Sequence, residues 1–396
     1  MYLVSVSITK ATPGSQTSLR EANRARIVDA VKKHGGLTQV ELAGATGLSP
    51  ATVSNIVKEL TASGVLHTTP STRSGRRAQH VTLARALGIV AGVHFSTRHL
   101  RVALSDVTNT VVAEHNMPLA KDHRADNELD KATRLIADML DSVDATMDEI
   151  LAVGIAIPAP VDTESGEISR SGLMRGWDGI SIADLMHRRI KRPVFVDNEA
   201  NLGALAEARL GAARGRDNAV YLRVGQGIGA GLILNGTVFR GFSNSAGEFG
   251  HMTIDEGGPL CRCGNRGCLE AIAGGPAILE GLLDSTGPLK LTDVIVHAIS
   301  GDPHCIRAIA DAGRHIGIAA ANVCNLLAPE RIVVGGELAR AGELLIGPMR
   351  HSLERSVVMS TDKVADIVQG QLGDRAELTG ALLYAVDRTS IGTEES

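Results

Sequence analysis

Aromatic side chains are scarce in this chain: one Trp, three Tyr and five Phe among 396 residues. No run of 18 apolar residues occurs, which excludes a membrane-spanning helix. The opening stretch MYLVSVSITK lacks a basic region and a long apolar core, so it does not read as a signal peptide. A cytoplasmic location is therefore expected. Cysteines number five, and three of them fall within one short stretch, Glu248 to Glu270.

The chain does have bulk and glycine: 44% hydrophobic residues, 21% charged and 44 Gly. That describes a globular protein of two or three domains. Net charge is −4, unevenly spread. Through Arg85 there are eleven Lys/Arg against four Asp/Glu, or +7, which leaves −11 for the remainder. A basic head on an acidic body suits a polyanionic partner.

Within Glu248–Glu270 stand His251, Cys261, Cys263 and Cys268, separated by glycine-rich turns. Zinc in closed structural sites is tetrahedral and takes Cys thiolate and His nitrogen, Cys3His being a standard set. Gly264 and Gly267 supply the backbone freedom that such a knuckle needs. A disulfide or inert buried thiols are the rivals, but Cys305 and Cys324 sit in apolar helical surroundings and the chain reads as intracellular. Structural Zn2+ on His251, Cys261, Cys263 and Cys268 is expected.

Residues 1–19 are Ser/Thr-rich and aperiodic, as in a flexible tail. From Arg20 an apolar helical face runs to Gly35-Gly36. Thr38 with Glu41 forms a capping box that opens a short helix, ended by Gly44 or Gly47. Ser49 and Pro50 then start a second helix. Val53, Ile56, Val57 and Leu60 face inward, and Ala51, Thr52, Ser54, Asn55 and Lys58 face out. Two short helices around a glycine turn make a helix-turn-helix, whose second helix enters a DNA major groove at its N-terminal end. A hairpin with Arg73, Arg76 and Arg77 near its tip follows as a basic wing. Residues 20–85 thus read as a winged helix-turn-helix. Its expected DNA contacts are Thr38, Gln39, Ser49, Ala51, Thr52, Ser54, Asn55, Lys58, Arg73, Arg76 and Arg77.

Beyond it the pattern is α/β. Three strands lead to a helix over residues 126–145 and a continuous apolar strand at Ile150–Ile157. A second round begins with strands at Ala219–Val224 and Gly229–Leu234. Helical residues at 276–322, a strand at Arg331–Val334 and a closing helix at Glu377–Asp387 complete it. Two similar lobes around a cleft are expected: 86–198 with about 374–390, and 199–373.

The motifs E-x-G-H-M at Glu248–Met252 and C-x-C-G-x-x-G-C-L-E at Cys261–Glu270 resemble the ROK family (repressors, open reading frames and kinases). The resemblance covers about residues 87–390, and the head resembles the winged helix of the family's repressor branch. It implies a two-lobed actin-like, sugar-kinase fold and a sugar cleft read by Asn198, Glu199, Glu248, His251 and Glu270. Kinase members carry D-x-G-G-T on the first strand and N-D-A-N, whose Asp is the general base. This chain has His94-Phe95-Ser96-Thr97-Arg98 and Asn198-Glu199-Ala200-Asn201 at those places. No catalytic residue is therefore expected, Glu199 being a degenerate base position. The expectation is a sugar-responsive regulator, most plainly a repressor of carbohydrate uptake or catabolism genes. Its partners would be a pseudo-palindromic double-stranded operator, a small sugar or sugar derivative, and a second or fourth copy of itself, with no membrane. The alternatives are an active ATP-dependent hexose kinase with a DNA-binding head, and a regulator controlled by a docking protein.

Overall fold

Local signals set the head. The computed structural model describes residues 16–73, 76–120, 124–169, 174, 176–358 and 364–389. Helix α1 (Gln16–His34) begins four residues before the expected Arg20, so 16–19 are helical and not tail. Pro13-Gly14 is the last breaker in the sequence, and nothing between Gln16 and Arg20 stops a helix. Residues 1–15 of the expected tail lie outside the described residues. Strand β1 (Leu37–Thr38) leads into α2 (Gln39–Thr46), with both hydrogen bonds of the Thr38/Glu41 capping box formed. Gly47, at φ 69°, ends α2 and turns the chain into α3 (Pro50–Ala62). Val53, Ile56, Val57 and Leu60 are buried as their spacing predicts. Strands β2 (Leu66–Arg73) and β3 (Arg76–Leu83) form the antiparallel wing, in a sheet of order β1-β3-β2.

The body holds two sheets of one topology. The first uses β4 (Ile89–Phe95), β5 (His99–Asp106), β6 (Val111–Pro118), then α4 (Ala125–Asp141), β7 (Ile150–Ile157), α5 (Ile182–Ile190) and β8 (Val194–Asn198). After α6 (Glu199–Leu210) the second sheet opens with β9 (Ala219–Val224), β10 (Ile228–Leu234) and β11 (Thr237–Phe239). Helices α7 (Leu269–Ala273), α8 (Gly275–Thr286), α9 (Leu291–Ile299) and α10 (Pro303–Leu327) follow. Then come β12 (Arg331–Gly335), α11 (Glu343–Ser356), β13 (Asp366–Gln369) and α12 (Ala376–Arg388). The strand orders are β6-β5-β4-β7-β8 and β11-β10-β9-β12-β13. In each, the outer strands form an antiparallel meander and the last pair is parallel (β7 with β8, β12 with β13). The chain divides into two compact units, Met1–Ile89 with Asp106–Thr110 and Val386–Ser396, and Val90–Ser105 with Val111–Ala385.

A large apolar cluster backs the second sheet with α7 to α11. Helices α10 and α11 cross closely because Gly313 and Gly317 face backbone: a methyl there would stand 2.6 Å from the Leu345 carbonyl and 2.3 Å from that of Met349. No helix among the described residues is long and apolar enough to cross a membrane.

Candidate ligand cleft, metal loop and DNA-binding head

The Cys3His set comes together as its spacing predicts. One ligand atom from each of His251, Cys261, Cys263 and Cys268 lies within 4.8 Å of all the others. The three cysteines are buried. Cys263 Sγ stands 3.7 Å from Cys268 Sγ, and Cys261 Sγ stands 3.5 Å from His251 Nδ1. Zinc–sulfur bonds of about 2.3 Å in a tetrahedron give edges of about 3.8 Å, close to these two separations. Tight turns hold it: Gly264 and Gly267 have φ of 90° and 68°, and a methyl at Gly267 would lie 1.5 Å from the Asp255 carbonyl. Burial, aided by the neighbouring Cys263 and Cys261 thiols, pushes the Cys268 thiol up to about 12. Since His251 turns Nδ1 to the cysteines, Nε2 is left on the other side, 3.9 Å from Glu248 Oε2.

That other side is a cleft. A cavity of about 630 Å³ in the body is lined by residues that include Asn198, Glu199, Glu248, His251 and Glu270, all five expected at the sugar. Their states differ. Glu248 and His251 reach it from the metal loop. Asn198 caps α6: its Oδ1 accepts from the Ala200 N–H at 2.8 Å and its Nδ2 donates to the Ala159 carbonyl at 3.0 Å. Glu270 is 8% exposed, and its Oε2 accepts from the Ile228 N–H at 2.9 Å. Arg262, the residue between the paired cysteines, closes on the same carboxylate at 2.7 Å. Arg98 also lines the cavity.

Beneath the cleft lies a network of buried charge. His94 Nε2 donates to Glu199 Oε2 at 2.8 Å, and Arg223 Nη1 stands 3.2 Å from Glu199 Oε1. Arg223 Nε lies 3.2 Å from Glu377 Oε1, close enough to pair but not aligned for a hydrogen bond. Tyr221 donates its hydroxyl to that same Glu377 oxygen at 2.9 Å. Burial alone would raise the Glu199 carboxyl pKa, but Arg223 and the His94 hydrogen bond outweigh it and hold the group below its ordinary value of 4.5. His94 and Glu199, 105 residues apart in sequence, are thus in contact in space. Asp197 is also committed, since both Nε and Nη2 of Arg240 donate to its Oδ2 at 2.9 and 2.6 Å.

On the head, Ala51, Ser54, Asn55 and Lys58 form an exposed face of α3. Ser49 accepts from the Thr52 N–H as N-cap, at 3.2 Å. Gln39 at the start of α2 donates to Gln79 on the wing at 3.0 Å. Thr38 departs from the expected surface. It is 6% exposed, paired in β1 with His80, and its hydroxyl is spent on Glu41. The capping box that identified it also removes it from solvent. Arg73, Arg76 and Arg77 fall on the wing strands, and their side chains lie outside the described residues.

A winged helix ahead of two repeated α/β sheets defines a DNA-binding chain with an actin-like, sugar-kinase-like body. Residues 90–388 match the ROK family, and residues 20–66 match the winged helix-turn-helix DNA-binding domain. The chain belongs to the ROK family. It is 27% identical to the xylose repressor of Bacillus subtilis (strain 168) over 378 residues, 94% of this chain and 97% of that one. It is 29% identical to the DNA-binding transcriptional dual regulator NagC of Escherichia coli (strain K12) over 392 residues, 93% and 94% of the two. Among solved structures, it resembles a ROK family transcriptional regulator that is a homolog of the E. coli MLC protein. The TM-score is 0.77 at 25% identity, over 93% of this chain and 96% of that one. A ROK family glucokinase from Streptomyces griseus, in complex with glucose and AMPPNP, gives 0.67 at 25% identity, over 75% and 99%.

Proposed function

We propose that this chain is a cytoplasmic, sugar-responsive DNA-binding regulator, a repressor of carbohydrate uptake or catabolism genes, and not a kinase. The observation that carries the reading is the division within the cleft. Glu248, His251 and Glu270 gather around the metal loop to meet hydroxyls, while Glu199, the residue at the base position, lines the same cavity with its carboxylate held by His94 and Arg223. A general base must reach the proton it takes, and a carboxylate held by two cationic or donor groups has little basicity to offer. The likeness to the xylose repressor and to the transcriptional dual regulator NagC supports the same reading.

Zinc suits the four donors His251, Cys261, Cys263 and Cys268 and leaves no open position for chemistry. Its work is to stiffen the loop that carries Glu248 and Glu270. His251 serves both sides, Nδ1 toward the ion and Nε2 toward the ligand. The lobes run from 86 to 198 with 374–390, and from 199 to 373, and the sugar sits between them. Gln39, Ser49, Ala51, Thr52, Ser54, Asn55 and Lys58, with the wing arginines Arg73, Arg76 and Arg77, meet DNA. A homodimer or homotetramer places two heads on a pseudo-palindromic operator. The sugar shifts DNA affinity by binding one arrangement of the protein better than the other.

Calorimetric titration with D-xylose, D-glucose and N-acetyl-D-glucosamine, beside a coupled ADP-release assay with Mg-ATP, tests this. Binding without turnover is expected. Turnover at about 1 per second or faster, the ordinary enzyme range, would contradict it.

A further inference from the structure

Arg262 stands between the two metal-facing thiols Cys261 and Cys263, yet its side chain reaches the cleft. Its Nε donates to Glu270 Oε1 at 2.7 Å and its Nη2 to Oε2 at 3.3 Å. The Ile228 N–H donates to the same Oε2 at 2.9 Å. The fit is close. A methyl at Gly227 would stand 2.6 Å from that oxygen and 3.5 Å from Arg262 Nη2. A carboxylate offers about four acceptor positions, so three of Glu270's are filled before any ligand arrives.

Resting on the ligand-cleft reading above, we propose that Arg262 is a specificity-determining residue. By filling two acceptor positions of Glu270 it leaves that carboxylate one, on Oε1, beside the unspent N–H groups of its own half-exposed guanidinium. Such a pair matches one ligand hydroxyl, which donates to Glu270 and accepts from Arg262. Glu270 without Arg262 would accept from two hydroxyls in less defined directions. Because Arg262 is flanked by metal ligands, its backbone is held from both sides, and the loop sets the direction in which the hydroxyl is read. Sequence alone hides this, since an Arg between two cysteines reads as a solvated charge.

The test uses the full chain as purified, with metal per chain measured by atomic emission. D-Xylose, D-glucose and N-acetyl-D-glucosamine are titrated calorimetrically into the unsubstituted chain, Arg262→Gln and Arg262→Lys. Arg262→Gln weakens the best-bound sugar by about tenfold or more, the size of a lost charge-assisted hydrogen bond. It also narrows the spread among the three sugars, while metal content and melting midpoint stay unchanged. Arg262→Lys keeps the charge without the fork and regains part of the loss. Unchanged affinities and unchanged order in Arg262→Gln would overturn the proposal alone. So would equal losses in both variants accompanied by lost metal or a lowered midpoint, which mark a merely structural residue. If the unsubstituted chain binds none of the three sugars, the ligand-cleft reading fails and takes this proposal with it.

Discussion

His94 Nε2 and Glu199 Oε2 meet at 2.8 Å beneath the cleft, joining the end of the first body strand to the first turn of α6. The contact satisfies a buried imidazole N–H with a buried carboxylate, so each polar group covers the other's cost of burial. The Glu199 carboxylate is then shared with Arg223, which also pairs with Glu377.

Breaking this contact has a stability signature. Glu199→Gln leaves Arg223 half-paired and is expected to cost about 3–5 kcal/mol, as for one partner removed from a buried pair. The readout is denaturant unfolding followed at Trp177, the single tryptophan, buried edge-on against Phe95 at 5.0 Å. The pH dependence has a definite sign. The folded Glu199 pKa is lowered, so its contribution is full above the ordinary value of 4.5 and lost as pH falls through the lower folded value. Glu199→Gln should therefore flatten that part of the acid limb. An unaltered midpoint and an unaltered acid limb would show that the pair contributes nothing.

Cys263→Ser should lower bound metal from about one ion per chain, with loss of sugar response before loss of the head's DNA contact. Atomic emission and titration with sugar and DNA separate the two. A variant that kept both its zinc and its sugar response would overturn the assignment of His251, Cys261, Cys263 and Cys268.

Lys58 sits on the exposed face of α3, near its middle. As a phosphate contact, Lys58→Ala should weaken binding to all duplexes alike and reduce the slope of log affinity against log salt by about 0.9. Asn55→Ala should instead relax preference at one base position. A Lys58→Ala slope equal to the parent's would remove Lys58 from the interface.

How much of this was legible in the sequence depended on range. The capped helices of the head and the metal loop are local: their residues lie within a few turns of one another, so spacing alone predicts them. Thr38 shows the limit even there, since the box is recognisable in sequence and its burial where β1 pairs with β3 is not. His94 and Glu199 are 105 residues apart, and only the fold, which brings the end of β4 to the first turn of α6, unites them. Helix α11 escaped notice because Pro348 interrupts it as a pattern, though not as a helix. Arg262 was invisible because its meaning depends on Glu270 and Ile228 closing around it.

The most direct measurement takes duplexes selected by the full chain from a random pool and measures their affinity at fixed salt, with and without D-xylose, D-glucose or N-acetyl-D-glucosamine. An inverted repeat should be enriched, and one sugar should shift its dissociation constant by about fivefold or more, the usual size of an allosteric coupling. No enrichment of any sequence, or enrichment with affinity indifferent to every sugar, would contradict the account.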